Sequence, residues 1–121
     1  MNLKLQPRQT GAVTILELDG RITLGAEADA LYAQVRQLID AQRPNIVLQI
    51  DKVIRIDSAG WGTVMRAVQS ARTAGGDVRL LKPSKSAREL LELLGLAARP
   101  DILRVFVDET EAVESFSSGR A

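Results

Sequence analysis

The chain has 121 residues, about the usual size of one domain, and 16 basic against 15 acidic side chains give it a formal net charge of only +1. This balance provides no broad positive field, which argues against nucleic acid as a partner. Hydrophobic residues make up 45% and charged residues 26%, as in soluble globular proteins, while aromatic residues make up only 3%. We therefore expect one domain with an aliphatic core.

Several further classes are disfavoured by what the sequence lacks. No apolar run approaches the roughly 18 residues of a membrane span, and the polar start MNLKLQPRQTG has no signal-peptide core. We therefore expect a cytoplasmic protein without membrane insertion. Cysteine and histidine are absent, which excludes disulfides, thiolate catalysis and a Ser-His-Asp triad within the chain. No enzyme activity, cofactor or metal site is expected.

The first half of the chain alternates strand and helix patterns. Strands are predicted at residues 3–6 and 13–20, the second of which alternates apolar with polar residues up to an Asp-Gly turn. From 25 to 42 the apolar side chains recur at helical spacing, and Pro44 follows the predicted helix. The nearly continuous aliphatic run at 45–50 is typical of an inner strand that helices cover.

The second half continues the alternation. Apolar residues from Trp61 onward predict a helix that ends near the glycine pair 75–76, and a strand at 77–81 follows. Ser86 and Glu89 form a capping-box pattern at the start of the next helix. The chain then predicts a last strand at 102–107, a last helix at 108–116 and a flexible tail at about 117–121.

The order of these elements predicts an α/β fold. We expect a mixed, mostly parallel sheet of four to five strands packed with about four helices, all in a single domain over residues 1–121. In such sheets, ligands and partners usually bind where the carboxyl ends of strands lead into helix N-termini. The segment from Asp57 to Gly62 is predicted to lie at such an end.

That segment, DSAGWG, places two cap-forming residues and two glycines at a predicted helix start. Either Asp57 or Ser58 can accept the unpaired N–H groups of the first helical turn, so one of the two is free for another role. Gly60 and Gly62 each weaken a helix by about 0.5–1 kcal/mol relative to alanine. Two interpretations are open: the bare backbone lets a partner approach closely, or the glycines pack tightly against the sheet.

Nucleotide-binding and hydrolase motifs do not account for these glycines. Met65 occupies the third glycine position of a dinucleotide fingerprint, and the next strand ends at Lys82 rather than at an acid. No glycine leads into a Gly-Lys-Ser/Thr turn, so a Walker motif is absent. Ser58 lacks a histidine base and is a poor candidate nucleophile. It is better suited to accept a phosphate, because a helix N-terminus tolerates an anion.

Two neighbouring features remain open at this point. Trp61 lies on the apolar stripe of its helix, where it belongs to the core or anchors an interface. Lys82, Lys85 and Arg88 surround the turn in LKPSKSAR, a pattern that is more typical of a solvated face than of a binding site. A small-molecule or nucleotide sensor that uses the bare helix N-terminus is a third, weaker functional hypothesis.

The stretch DSAGWGTVMRAVQSARTAGGDVRLLKPSKSARELLELLGL resembles the central and C-terminal pattern of the STAS domain family, the fold of anti-sigma factor antagonists. The shared features are Asp-Ser-small-Gly-x-Gly before a helix, a Gly-Gly pair, a strand, a serine-led turn and a leucine-rich helix. LDGRITLGAEADAL and DETEAVESF are similar to the family's N-terminal strand-loop-helix and last helix. The family also occurs in transporters, stress-signalling assemblies and lipid-trafficking complexes.

The resemblance implies a bacterial phosphoprotein of transcription regulation and signalling that acts by protein-protein interaction. In antagonists of this kind, the serine at the position of Ser58 is phosphorylated by an anti-sigma factor that is also a serine kinase, and a serine phosphatase reverses the reaction. The unphosphorylated form binds the kinase and releases the sigma factor. The residues expected to bind the partner are Thr23, Asp57, Ser58, Ala59, Gly60, Trp61 and Gly62. The alternative is a non-switching scaffold or accessory subunit of a stress-signalling or lipid-transport complex.

Two of these positions depart from the family pattern. Thr23 stands where the loop before the first long helix often carries an aspartate, and Trp61 replaces the usual Leu or Ile. A partner contact made by that aspartate does not carry over to Thr23. At Trp61 three interpretations are open: a bulkier anchor, an altered pocket or a different partner.

Overall fold

The computed structural model describes residues 2–118, which form five strands and four helices. In chain order they are β1 (Leu3–Thr10), β2 (Val13–Ile22), α1 (Ala26–Asp40), β3 (Asn45–Ile56), α2 (Ser58–Thr73), β4 (Asp77–Leu81), α3 (Lys85–Leu93), β5 (Val105–Phe106) and α4 (Glu109–Ser118). The predicted α/β class, with a mixed and mostly parallel sheet and about four helices, is confirmed. Across residues 2–118, none of the helices combines the length and the apolar character that a membrane span requires.

The five strands lie in sequence order across one sheet. β1 pairs with β2 as an antiparallel hairpin, whereas β2, β3, β4 and β5 pair in parallel. The carboxyl ends of β2, β3 and β4 therefore lie at the same edge of the sheet. The loops that lead into α1, α2 and α3 begin at this edge, which is where the candidate site was expected.

The two faces of the sheet pack against separate cores. Alternate strand residues point to opposite faces, so the buried leucines 16, 48 and 80 belong to the larger core with α1, α2 and α3. Their neighbours Ile15, Val47 and Leu81 pack on the other face with Ala112 of α4. Because β3 is covered on both faces, its first half is a continuous aliphatic run rather than an alternating one.

Four of the five strands differ in length from the prediction. β1 extends to Thr10 instead of residue 6, because it pairs with β2 along this whole length, and β2 extends to Ile22 instead of residue 20, because it stays paired with β3. β3 continues to Ile56 instead of ending at Ile50, because its second half stays paired with β2 across two register shifts. The last strand comprises Val105–Phe106 rather than residues 102–107. The N–H groups of Ile102 and Leu103 both donate to the carbonyl of Arg99, so this part of the predicted strand forms turns.

The ends of two helices also differ from the prediction. The capping box predicted at Ser86 is wrong, because Ser86 lies inside α3 and the helix is capped by Ser84, whose hydroxyl accepts the N–H of Ala87 at 3.3 Å. Ser84 has the extended backbone that a cap requires. At the C-terminus, α4 includes residues 117 and 118 of the predicted tail, and residues 119–121 lie outside the described residues.

Candidate functional site

The predicted site lies at the edge of the sheet where β2 and β3 end side by side. Ile22 and Ile56, the last residues of the two strands, are register partners. The N–H of Asp57 donates to the carbonyl of Ile22 at 3.4 Å, which holds the start of α2 against the end of β2. Parallel pairing thus brings the loop that begins at Thr23 next to the DSAGWG segment.

Asp57 caps α2 and also links the two loops. Its Oδ1 accepts the N–H of Gly60 at 2.8 Å, and its Oδ2 accepts the N–H of Leu24 at 3.0 Å. These bonds from Leu24 and Gly60 hold the pKa of the Asp57 carboxyl below its usual range. Of the two residues that could cap the helix, the cap is Asp57, and the hydroxyl of Ser58 is not used for this purpose.

Ser58 is the first residue of α2, and its side chain is exposed. Within residues 2–118 its hydroxyl has no hydrogen-bond partner. Gly62 and Arg66 follow at intervals of four residues and are exposed as well, so they share one face of the helix with Ser58. We call Ser58, Gly62 and Arg66 the exposed stripe of α2.

The exposed stripe was predicted at Ser58 and Gly62 but not at Arg66. The guanidinium of Arg66 lies over the ring of Tyr32 in α1, 4.1 Å from the ring centroid. The hydroxyl of Tyr32 lies 2.8 Å from that of Ser70. This hydrogen bond is the main reason that the pKa of the Tyr32 hydroxyl is lowered, and the charges of nearby arginines lower it further. The sequence signal that could have identified Arg66 is its position four residues after Gly62 on the same predicted helix.

The two glycines have different environments. Gly60 is buried, and a Cβ at this position would overlap the carbonyl oxygen of Ile22 and crowd the side chain of Ile56. At Gly62, by contrast, no atom lies within 4 Å of the place that a Cβ would take. The expectation that both glycines open the backbone to a partner is therefore corrected at Gly60, which instead lets α2 pack against the ends of β2 and β3.

Trp61 is also a core residue rather than an exposed anchor. It is only 5% exposed and packs in the larger core, so the expected partner contact through its surface is corrected. Its indole Nε1 is buried and has no hydrogen-bond acceptor among the described residues. Ala59, the residue before the buried glycine, is half-buried.

Thr23 serves the start of α1. It is half-buried; its hydroxyl lies 3.4 Å from Oε1 of Glu27, and its carbonyl accepts the N–H of Ala28 at 3.1 Å. Glu27 also accepts the backbone N–H of Asn2 at 2.8 Å, which is the main reason that the pKa of Glu27 is lowered.

Leu24, which follows Thr23, is 78% exposed beside Asp57. Sequence reasoning missed Leu24, whose signal was an isolated apolar residue before a loop glycine.

A groove beside the site was not predicted either. It lies between the end of β3 and α3, with a volume of about 450 Å³. Ile54 and Arg55 of β3 line one side, Leu90 and Leu93 of α3 line the other, and Trp61 of α2 contributes to the wall. We call it the β3–α3 groove. It depends on packing between elements about 30 residues apart, for which the local patterns carry no signal.

Comparison with known proteins gives one family match and several structural ones. The STAS domain model matches residues 4–112, and no curated protein sequence matches the chain. TM1081 from Thermotoga maritima is 21% identical over 93% of both chains, with a TM-score of 0.82. The anti-sigma factor antagonist SpoIIAA of Bacillus, in its unphosphorylated form, is 20% identical over 98% of this chain and 100% of that chain, with a TM-score of 0.75. An anti-sigma factor antagonist from Mycobacterium paratuberculosis is 15% identical over 94% and 93%, with a TM-score of 0.79.

Proposed function

The chain belongs to the STAS domain family, and on this premise we propose that it is an anti-sigma factor antagonist whose partner binding is switched by phosphorylation of Ser58. Its unphosphorylated form binds an anti-sigma factor that is also a serine kinase, and this binding releases the sigma factor. A serine phosphatase restores the binding form. The protein is thus a kinase substrate and a binding module of the bacterial cytoplasm rather than an enzyme.

The observation that carries this proposal is the division of roles between Asp57 and Ser58. Because Asp57 caps the helix and binds Leu24, the fold does not depend on the Ser58 hydroxyl. That hydroxyl is exposed at the carboxyl edge of the sheet, where a kinase can reach it. SpoIIAA, a protein of similar fold, is known in both phosphorylated and unphosphorylated forms.

A phosphate on Ser58 is compatible with the folded helix. The first turn of α2 contains no acidic side chain, so the helix dipole favours an anion there, next to the Asp57 cap that accepts the N–H of Gly60. Phosphorylation adds about −1.5 to −2 charges to a surface that is otherwise uncharged at Ala59 and Gly62. The modification therefore changes the docking surface and leaves the fold intact.

The loss of binding follows from desolvation and like charge. A partner that docks on the exposed stripe of α2 buries Ser58, and a buried phosphate must lose its water beside the Asp57 carboxylate. Each 1.4 kcal/mol of this cost weakens binding tenfold. Gly62 supports the same surface, because its open position lets a partner backbone come close to the helix.

The test measures how strongly variants at this position bind a candidate anti-sigma factor that has serine kinase activity. We expect Ser58→Ala to bind constitutively, with or without ATP, and Ser58→Asp to bind about tenfold or more weakly. Thr110→Asp is the matched control, because it adds the same charge to the exposed first turn of α4 and should bind like the parent. Equal binding by Ser58→Ala and Ser58→Asp contradicts the proposal.

Mass spectrometry separates the switched module from a non-switching scaffold or accessory subunit. After incubation with the same kinase and ATP, the parent is expected to carry one phosphate on Ser58 and the Ser58→Ala variant none. A stable complex in which Ser58 stays unmodified favours the scaffold instead.

A further inference from the structure

The second half of β3 is paired on one side only. β4 ends at Leu81, the register partner of Gln49, and Lys82 follows with a left-handed backbone, φ 55°, on the way to α3. Residues 51–56 of β3 therefore lie beyond the end of β4, and we call them the free edge of β3. Apart from their pairing with β2, they form no backbone hydrogen bond with any of residues 2–118. An unpaired edge of this kind is a template for an added strand.

The β3–α3 groove runs along the free edge of β3. Residues 53–56 all line it, although successive side chains of a strand point to opposite faces of the sheet. A cavity that contacts four successive residues therefore lies beside the strand rather than over one of its faces. α3 forms the opposite wall. With a volume of about 450 Å³ beside a strand segment of about 10 Å, the groove has the position and length of a short added strand.

The walls of the groove offer apolar contacts to a side chain of such a strand. Ile54 of β3 and Leu93 of α3 line the groove although they are 69% and 81% exposed, and the half-buried Leu90 lies between helix and core. An apolar side chain placed here would remove their surface from water, which favours binding. Because side chains alternate along a strand, every second residue of an added strand would face α3. We therefore expect an apolar residue at such a position.

The free edge of β3 suits a single extended chain rather than the sheet of a second folded copy. Asp51, Lys52 and Arg55 place charges along it, and the pairing with β2 shifts register twice between Gln49 and Arg55. Charged side chains and bulges are the usual means by which folded proteins prevent their sheet edges from associating. α3 also bounds the groove opposite β3, which leaves space for one chain but not for a strand together with its neighbours.

From these observations we propose that the free edge of β3 binds an extended segment of a protein partner by strand addition. The backbone of the segment pairs with residues 51–56, and one of its apolar side chains lies between Ile54 and Leu93. This binding requires neither phosphorylation of Ser58 nor an anti-sigma factor, so it stands or falls independently of the proposed function.

A library of random octapeptides displayed on phage is the probe, and it is selected on the full chain. Each selected peptide is synthesised in two N-methylated series, which remove the backbone N–H groups of odd or of even residues and keep every side chain. Because alternate residues of an added strand point their N–H groups toward β3, we expect one series to bind about tenfold or more weakly and the other to bind like the parent peptide. Selection of no peptide, or an equal effect of the two series, overturns the proposal.

Hydrogen exchange of the backbone amides shows where the peptide pairs. We expect slower exchange within residues 51–56 when the peptide is bound, because N–H groups that faced solvent then donate to the peptide. Protection confined to other parts of the chain overturns the proposal.

A cysteine label locates the binding in the groove, since the chain has no cysteine of its own. Leu93→Cys coupled to fluorescein maleimide should bind the selected peptides about tenfold or more weakly than the same variant without the label. Labelled Leu94→Cys is the matched control, because Leu94 is exposed on the same helix end but does not line the groove, and it should bind like the parent. Circular dichroism verifies that each variant is folded. Equal affinity of the two labelled variants overturns the proposal, as does a dimer of the peptide-free chain that the label at position 93 dissociates, because a second copy would then be the occupant.

Discussion

Gly60 and Gly62 show how identical residues two positions apart acquire different roles. Successive helical residues are rotated by about 100°, so Gly60 faces the end of β2 while Gly62 lies on the exposed stripe with Ser58. The propensity cost is the same for both in the isolated helix, but only at Gly60 does close packing offset it. Gly62 carries this cost without any internal contact, which agrees with a role in docking.

Alanine substitutions should therefore have opposite effects on stability. Gly60→Ala places a Cβ against the backbone carbonyl of Ile22, which cannot move without displacing β2, and we expect a loss of about 1–3 kcal/mol in the free energy of unfolding. Gly62→Ala has open space and gains helix propensity, so a gain of about 0.5–1 kcal/mol is expected. Urea unfolding followed by circular dichroism measures both, and a loss of similar size in the two variants would show that the packing difference is unimportant.

The start of α3 illustrates how a helix end is chosen between two candidates. The sequence places Ser84 and Ser86 two positions apart, and Ser86 has the better pattern because Glu89 follows it three residues later. In the structure Ser84 has φ −63° and ψ 167°, outside the helical region, and accepts the N–H of Ala87. Pro83 precedes Ser84 and cannot belong to the helix interior, which agrees with a helix that begins after it.

Ser84→Ala should accordingly destabilise the protein by about 1 kcal/mol, because the N–H of Ala87 loses its acceptor. Ser86→Ala removes a similar hydroxyl from an exposed position inside the helix, and its effect should stay within about 0.5 kcal/mol. Thermal unfolding of the two variants tests this assignment. A larger loss in Ser86→Ala than in Ser84→Ala would restore the capping box that the sequence suggested.

Arg8 joins the first strand to the last helix and so connects distant parts of the chain. Its Nη1 and Nη2 donate to the carboxylate of Glu109 at 2.8 and 2.5 Å, and its Nε donates to Glu17 at 2.6 Å. The hydrogen bond from Arg8 lowers the pKa of the Glu109 carboxyl, and the bonds to Glu109 and then Glu17 raise the pKa of the Arg8 guanidinium. These bonds hold α4 over the smaller core.

The lowered pKa of Glu109 gives this contact a pH dependence of known sign. A carboxyl whose pKa is lower in the folded state stabilises the fold above its unfolded pKa and loses this contribution as the pH falls through the folded value. Glu109→Gln should therefore cost about 0.5–1 kcal/mol near neutral pH, because the pair is partly exposed, and the difference from the parent should vanish in acid.

Urea unfolding at several pH values measures this difference. Glu111→Gln is the control, because it removes the same charge from the first turn of α4 without removing an ion pair to any described residue. A difference between Glu109→Gln and the parent that persists unchanged in acid, or an equal difference for Glu111→Gln, would contradict the assigned role.

Much of the fold and part of the site could be predicted from local patterns. The order of the elements, the exposed hydroxyl candidate at Ser58 and the cap at Asp57 or Ser58 depend on residues within one or two turns of each other. The extension of β3 to Ile56 could not be predicted, because its second half mixes charged and aliphatic residues without a regular alternation and depends on pairing with β2. The last strand is shorter than predicted, because the N–H groups of Ile102 and Leu103 donate to the carbonyl of Arg99 and so form turns. Their aliphatic side chains had indicated a strand.

Periodicity, capping residues and glycine positions were thus sufficient for the α/β class and the helix start at Ser58, and the motif residues for the family resemblance, since all of these depend on neighbouring residues. Only the packed structure shows that Asp57 reaches Leu24, that Gly60 is closed by Ile22 while Gly62 stays open, and that Trp61 lines a groove with α3. These features arise where elements about 30 or more residues apart meet. Their physical cause is the distance between backbones and side chains of different elements, which a local pattern does not specify.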